Sequence, residues 1–439
     1  MVINNPSIIR DRINNGPMTL AQIVIVSIGF ILNCVDGVDV VAISVAAPAI
    51  TSSWNISSIE LGYILSAALV GMAFGAMFLA PLSDIYGRRK IVLFSVLLTG
   101  ISMIITGFIE RSVELMIVIR AISGIGIGAI FASAATFGNE FTPERYKNLA
   151  VTMIIAGYPF GAMIVGPIAS LVLPNFGWQM LFIFSGIGTI SVFVLSYFLL
   201  PESVEFLERC SLDEKSKLRA INKVLKRINR APIDQLSTFG PVDKKRVSNV
   251  QSLLSKKLML TTLKLWIIFF MGFMGIYFII SWIPSLYVNS GWTMNEGITA
   301  LTLSNLGAVI GAISIGLLTT HYALRWPVGV FFGSTAILMA YFAYSKPTDL
   351  MKLYVLIFLI GAFLNGAFSA MYAVTARIYH AHIRSTGIGW CVGLGRSGAI
   401  LAPILAGYLV AFNFDIYTLF FVFATPVLIA AILIITIKV

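Results

Sequence analysis

Apolar runs of about twenty residues, the length a helix needs to cross a hydrocarbon core of ~30 Å, recur along the whole chain between short polar interruptions. They predict twelve membrane-spanning helices, at 20–42, 60–82, 91–109, 114–138, 149–173, 178–200, 261–287, 298–320, 326–345, 351–377, 386–411 and 415–437. The order is six spans, a long polar loop, then six more. This divides the chain into a cytoplasmic N-terminal segment (1–19), an N-terminal six-helix half (20–200), a cytoplasmic central loop (201–260) and a C-terminal six-helix half (261–439). The expected fold class is an all-α membrane protein built from two pseudo-symmetric six-helix bundles. Within the loop, Ser211 and Glu214 form a capping box, and Leu218, Ile221, Leu225 and Ile228 follow a helical stripe that Pro232 stops. That pattern predicts an amphipathic helix lying on the cytoplasmic membrane surface.

A faint internal repeat supports the two halves. At a constant offset of 236 residues, Gly157 matches Gly393, Gly166 matches Ala402, Pro167 matches Pro403 and Ile168 matches Ile404. The repeat lays the fifth span on the eleventh, as duplicated halves require. One mismatch stands out: Phe160 corresponds to Arg396.

Composition agrees. Hydrophobic residues make up 58% of the 439 positions and charged ones 11%, a balance foreign to a soluble domain. The net charge of +11 would suit a nucleic-acid binder, but its placement argues for topology instead. With the N-terminus in the cytoplasm, thirteen Lys and Arg fall in the central loop and only Arg111, Lys346 and Lys352 on the opposite side, the positive-inside distribution. Both termini are therefore expected in the cytoplasm, the partner is the lipid bilayer, and no nucleic acid is implied. Cys34, Cys210 and Cys391 are too scattered for a disulfide framework or a metal site, so no cofactor or metal is expected. The first twenty residues lack the order of a cleaved signal, so the first apolar run should stay as a span.

Charges inside the spans are the candidate chemistry, because an ionisable group in hydrocarbon is costly unless paired, hydrated or neutralised. Asp36-Gly37-Val38-Asp39 places two carboxylates on one helix face, about 24 to 29 Å from Leu20 and so in the outer half of the membrane. Such acids can take up and release a proton. The alternative is that the span ends near Asp36 and both acids sit in an outer vestibule. Arg120, in the fourth span, lies at a similar depth and can pair with them, either as part of the coupling or as a static tie. Gly124, Gly126 and Gly128 after it read as close helix packing.

Arg396 lies ~15 Å into the eleventh span, at the bilayer midplane. Its guanidinium cannot shed its charge and offers a planar fork suited to a carboxylate. A substrate anion is the favoured partner, since spans seven to twelve hold no acid at that depth; a backbone carbonyl or a buried acid is the other reading. Tyr158, Phe160, Phe273, Tyr277, Phe363, Tyr372 and Trp390 lie on segments that border the same space. Most are packing residues, with Tyr277, Trp390 and Tyr372 retained as binding candidates. Asn305 joins them, because an amide in hydrocarbon needs a partner. On the cytoplasmic side, Asp84 to Lys90 form a tight turn bent at Gly87, with the acid placed to clasp Arg88 or Arg89.

The run Leu82-Ser83-Asp84-Ile85-Tyr86-Gly87-Arg88-Arg89 resembles the signature loop of the major facilitator superfamily, and the two-half layout extends the likeness over the whole chain. Asp36-Gly37-Val38-Asp39, Arg384 to Trp390 and Gly393 to Gly398 are similar to motifs of its aromatic acid/proton symporter family. The resemblance implies proton-driven uptake of benzoate-like or hydroxybenzoate-like acids by alternating access. It assigns proton and substrate coupling to Asp36 and Asp39, gating to Asp84 and Arg88, and a cavity role to Arg396. Glu140, Pro143 and Arg145 resemble the family's loop after the fourth span. The chain departs from the pattern at Ala80, where glycine is usual, and at Thr320 and Leu324, where the copy after the eighth span lacks its acid and its Arg or Gly. The second clasp is thus expected to be weak.

These readings converge on a monomeric symporter of the bacterial inner membrane. Asp36, Asp39 and Arg120 would couple the proton. Arg396, Asn305, Tyr277, Trp390 and Tyr372 would bind the anion, and Asp84, Gly87, Arg88, Arg89, Glu140 and Arg145 would gate. The same fold could instead carry a dicarboxylate or sugar acid, or run as a proton antiporter. An enzyme is not expected: His321, His380 and His382 lie in loops without a partnered nucleophile or metal set. The central loop is too short and charged for a sensor domain.

Overall fold

The computed structural model describes residues 8–14, 16–210, 213–235, 250–256, 258–380 and 383–437. Among these residues it is helical throughout. Eleven helices are long and apolar enough to cross a membrane. One of them, Lys147–Leu199, has 53 residues and would reach about 80 Å if straight, more than twice the hydrocarbon thickness. It breaks at Gly177, whose φ of 79° and ψ of 172° are open to glycine and not to other residues. The fifth and sixth spans meet there, and the count becomes twelve.

The other spans are Leu20–Trp54, Ser58–Tyr86, Arg88–Phe108, Val113–Phe141, Met259–Asn289, Met294–His321, Arg325–Ser345, Leu350–Ile378, Arg384–Ala411 and Ile416–Ile435. Their starts are set by side-chain caps. Thr19 with Gln22, Ser57 with Glu60 and Thr293 with Glu296 form full capping boxes, and Ser112, Asp349 and Asp415 each accept a backbone N–H of the first turn. The second span passes through a π turn at Gly75–Leu79 just before Pro81, whose ring nitrogen cannot donate to the preceding turn.

The halves repeat each other in packing as well as in order. The first span lies along the fifth as the seventh lies along the eleventh; the second packs on the fourth as the eighth on the tenth, and the third on the sixth as the ninth on the twelfth. The 236-residue offset extends beyond the fifth and eleventh spans: it also relates Pro48 to Pro284, Ser57 to Thr293, Glu60 to Glu296 and Ser66 to Thr302. Close approach within each half uses glycine. A Cβ on Gly124 or Gly128 would strike the carbonyls of Ala68 or Met72, and one on Gly126 would meet Thr99, so this run is a packing surface as expected.

Between the halves, the second span meets the eleventh and the fifth meets the eighth. These contacts gather at the membrane face opposite the termini and central loop. There Ser66 donates to the Ile400 carbonyl at 2.8 Å, the Tyr63 and Tyr408 hydroxyls are 2.8 Å apart, and Gly166 abuts Thr302. The two halves are therefore tied together on the far face.

The central loop corrects one expectation. Its helix runs over Glu214–Arg227 and is capped by Asp213, whose carboxylate accepts the Ser216 N–H at 3.0 Å; Ser211 lies outside the described residues. The stripe is not turned to lipid. Ile221, Leu225 and Ile228 are fully buried in one cluster with Ile25, Ile28, Phe137, Phe141 and Ile9. Docking on the N-terminal half satisfies the apolar face better than a membrane surface would, because Thr19 and Gln22 also bond to Ile228 and Arg230 beside it.

Candidate functional site

The first span continues as helix to Trp54, ending at Asn55 in the left-handed conformation (φ 52°). Small apolar residues from Ala42 to Ala49 carry it past Pro48. Asp36 and Asp39 consequently lie near the middle of a 35-residue helix, not in its outer half, and no vestibule reaches them: they are 1% and 0% exposed. This corrects the expected depth and removes the vestibule alternative.

The two acids have different surroundings. Asp39 is taken up by Arg120 in a bidentate pair of 2.6 and 2.8 Å, its backbone carbonyl accepts a third bond from the same guanidinium at 3.1 Å, and Ser123 donates to Oδ1 at 3.0 Å. Arg120 is itself 0% exposed, with its guanidinium 5.6 Å from the Phe182 ring centroid. Asp36 takes no part in this pair, and its Oδ1 has no hydrogen-bond partner in the protein. The sequence groups Asp36, Asp39 and Arg120, whereas the fold separates a bidentate tie between spans one and four from an acid outside that tie.

Asp36 faces Arg396. The two groups come from opposite halves and lie within electrostatic reach of each other, as Arg396 also does of Tyr158, Tyr277 and Tyr372. Arg396 is half-buried near the middle of Arg384–Ala411. Among the described residues it forms no ion pair within 4 Å, and its guanidinium stands 5.9 Å from the Phe131 ring centroid on the fourth span. Spans seven to twelve indeed hold no acid at that depth. The buried acid that answers Arg396 comes instead from the first span, which packs against the seventh.

An aromatic wall borders this charge. Phe269 meets Phe368 at 5.5 Å and Tyr372 at 5.7 Å, Phe273 meets Phe368 at 4.5 Å and Tyr277 at 5.9 Å, and Trp266 lies 6.0 Å from Trp390. Tyr277 is buried, whereas Tyr372 and Trp390 are 36% and 40% exposed. The Tyr158 hydroxyl approaches that of Tyr277 across the halves without closing a well-formed hydrogen bond. Phe160 stacks obliquely on Phe30 at 5.4 Å, but Phe363 packs edge-on to Phe331 at 5.0 Å between the ninth and tenth spans and so belongs to the bundle core. Asn305 is 6% exposed with no partner for its Nδ2. Phe131, Phe269, Phe368 and Trp266 were not singled out from sequence; in a chain where aromatics are 12% of residues, ring identity alone carries no signal. The arrangement suits a flat apolar ring bearing one carboxylate.

At the basic face, Arg88 is ion-paired with the buried Glu140 and lies 3.4 Å from Asp84 and 3.7 Å from Glu205. Arg89 binds the Leu200 carbonyl at 2.8 Å and the Tyr197 carbonyl at 2.5 Å, and its N–H donates to Glu202 at 3.0 Å, capping the sixth span. Gly87 turns the chain with φ 105°, and a Cβ there would fall 2.6 Å from Glu202. Arg10 reaches from the N-terminal helix Ile8–Asn14 to the carbonyls of Asn139, Glu140 and Thr142, and its 2.9 Å bond to Glu144 holds that carboxyl below the usual range. Among the described residues, the partners named for this clasp lie in the N-terminal segment, the N-terminal half or the central loop. Arg145 is apart from it, exposed with its guanidinium 5.5 Å from the Tyr146 ring. At the loop after the eighth span, Leu324 is buried in the apolar core, while the side chains of Thr320 and His321, and all of His382, lie outside the described residues.

Comparison with known proteins adds to this geometry. The family model of the Major Facilitator Superfamily matches residues 29–348 and 265–438. The 4-hydroxybenzoate transporter PcaK of Pseudomonas aeruginosa is 31% identical, with 94% of this chain and 93% of that protein covered. The benzoate transport protein of Acinetobacter baylyi is 29% identical, over 89% of this chain and 84% of that one. In fold, the chain resembles the inward open conformation of the xylose transporter XylE from E. coli, with a TM-score of 0.73 at 15% identity, covering 94% and 96% of the two chains.

Proposed function

The chain belongs to the Major Facilitator Superfamily, in its aromatic acid branch, and is a multi-pass membrane transporter; on that premise we propose that it imports a small aromatic carboxylate, such as benzoate or a hydroxybenzoate, together with protons. The observation that carries this reading is Arg396: a half-buried guanidinium that forms no ion pair among the described residues, within electrostatic reach of Asp36 from the opposite half and bordered by aromatic rings. A substrate carboxylate and ionised Asp36 compete for one cation. Protonation of Asp36 removes the competitor, so proton and acid favour each other's binding, and by linkage the preference is mutual.

In this cycle Asp36 loads the proton, and the Asp39–Arg120 pair fixes the helix that carries it. Tyr277, Tyr372 and Trp390 contact the ring, and Asn305 offers its unpartnered amide to a polar substituent. The halves then rock between states open to either side, and Asp84, Gly87, Arg88, Arg89 and Glu140 gate the basic face by exchanging partners. Arg145, beside Tyr146 and outside that clasp, remains a gating candidate for another state of the cycle. The positive-inside distribution supports a bacterial inner-membrane location with both termini cytoplasmic, and a site whose residues all come from one chain supports a monomer as the working unit.

A thermal-shift panel tests the substrate class, since a ligand stabilises the form it binds, by about 2.7 kcal/mol at a hundred times its Kd. Benzoate and 4-hydroxybenzoate should raise the melting temperature of the purified protein, and succinate and sugar acids should not. Stabilisation by the aliphatic acids alone would assign the cavity to another anion.

A further inference from the structure

We propose that Asn33 and Asp36 form a hydrated relay through which the imported proton leaves toward the basic face, with Asn33 positioning the water between them. The inference rests on the proton-coupled reading above. Asn33 lies three residues before Asp36, on the same helix face and on the side from which the first span enters the membrane. Each is 1% exposed, and each has an Oδ1 without a hydrogen-bond partner in the protein.

Two buried, unsatisfied acceptors one turn apart are uncommon, and proteins satisfy such atoms with bound water. The two residues are ~4.5 Å apart along the helix axis, a scale that one water donating to both oxygens at about 2.8 Å can span. The Asn33 amide is held in orientation for this. Its Nδ2 donates to the Gly29 carbonyl at 3.3 Å, which turns the oxygen away from Gly29, and Gly157 closes against its Cβ.

Beyond Asp36 toward the far face, Asp39 is saturated by Arg120 and Ser123, and Val40 to Ala47 are buried, apolar but for Ser44, whose hydroxyl bonds its own helix. The other groups within electrostatic reach of Asp36 are Arg396 of the eleventh span, Tyr158 of the fifth and Tyr277 of the seventh. None of these is a base that would accept the proton. In the release step the Asp36 O–H bond breaks and the proton passes to the bridging water. The carboxylate is left charged before Arg396, and the water passes a proton on to the solvent of the basic face.

Valine and threonine at position 33 have the same shape and differ by one hydroxyl, so the pair separates the relay from packing. In proteoliposomes, Asn33→Val should slow gradient-driven net uptake of labelled 4-hydroxybenzoate about tenfold, the scale of one lost hydrogen bond to a charged group. Asn33→Thr should recover most of it. Counterflow exchange of labelled for unlabelled acid, which needs no net proton release, should be the same in both variants and close to that of the unsubstituted protein. Equal net uptake by the Val and Thr variants, or parallel loss of uptake and exchange, would overturn the relay. If the unsubstituted protein's uptake ignores the proton gradient, the coupling reading itself fails, a separate and recognisable outcome.

Discussion

Arg396→Ala is expected to remove measurable binding of aromatic acids while leaving a folded protein. A charge-assisted bidentate contact in a partly desolvated site contributes 2–5 kcal/mol or more when truncated, which weakens Kd by roughly 30-fold to several thousand-fold. The fold should survive, because Arg396 forms no ion pair among the described residues and its guanidinium stands 5.9 Å from the Phe131 ring centroid. Arg396→Lys keeps the charge and loses the planar fork, so its affinity should fall between the two. Calorimetric titration of each variant with 4-hydroxybenzoate makes the comparison, and unchanged affinity in the alanine variant would place the anion elsewhere in the cavity.

Arg120→Ala should act in the opposite manner, on stability first. Removing one partner of a buried ion pair leaves an uncompensated charge and costs about 3–5 kcal/mol. Here the stranded group would be Asp39, fully enclosed and reliant on Arg120 for three of its bonds. A large fall in the melting temperature of the detergent-solubilised protein is expected. The double variant Arg120→Leu with Asp39→Leu should recover much of it, because two apolar side chains need no partner. A single variant as stable as the unsubstituted protein would show that the pair is not the tie between the first and fourth spans.

These two arginines show how far the sequence could be read. Each is a lone charge in an apolar run, and sequence alone marks both as functional or paired. Hydropathy also gave the spans, because lipid leaves the backbone few options, and the Ser57–Glu60 and Thr293–Glu296 boxes mark helix starts by local chemistry. What sequence could not supply is partner choice across helices. Asp36 and Asp39 look equivalent three residues apart, yet the rotation of the first span gives Asp39 to Arg120 and turns Asp36 to the other half. The depth error came from ending the first span at residue 42, where the apolar run continues through Pro48 to Trp54. Ile221 and Leu225 are helical as the stripe predicts, with Ile228 at the helix C-cap, but protein covers the stripe in place of lipid, since an amphipathic face does not say what will cover it. The aromatic wall was half visible: Tyr277, Tyr372 and Trp390 were named, but Phe131, Phe269 and Phe368 are distinguished from the chain's other phenylalanines only by where the helices bring them.

Proton-coupled import is the central claim, and transport of labelled 4-hydroxybenzoate into proteoliposomes under an imposed pH gradient, acid outside, tests it most directly. The unsubstituted protein should accumulate the acid above its external concentration, with a control for passive entry of the neutral acid, and should lose that accumulation when an ionophore collapses the gradient. Asp36→Asn should abolish accumulation yet still exchange labelled for unlabelled acid. Carrier-mediated accumulation that persists without the gradient, or an Asp36→Asn variant that accumulates as well as the unsubstituted protein, would contradict the account.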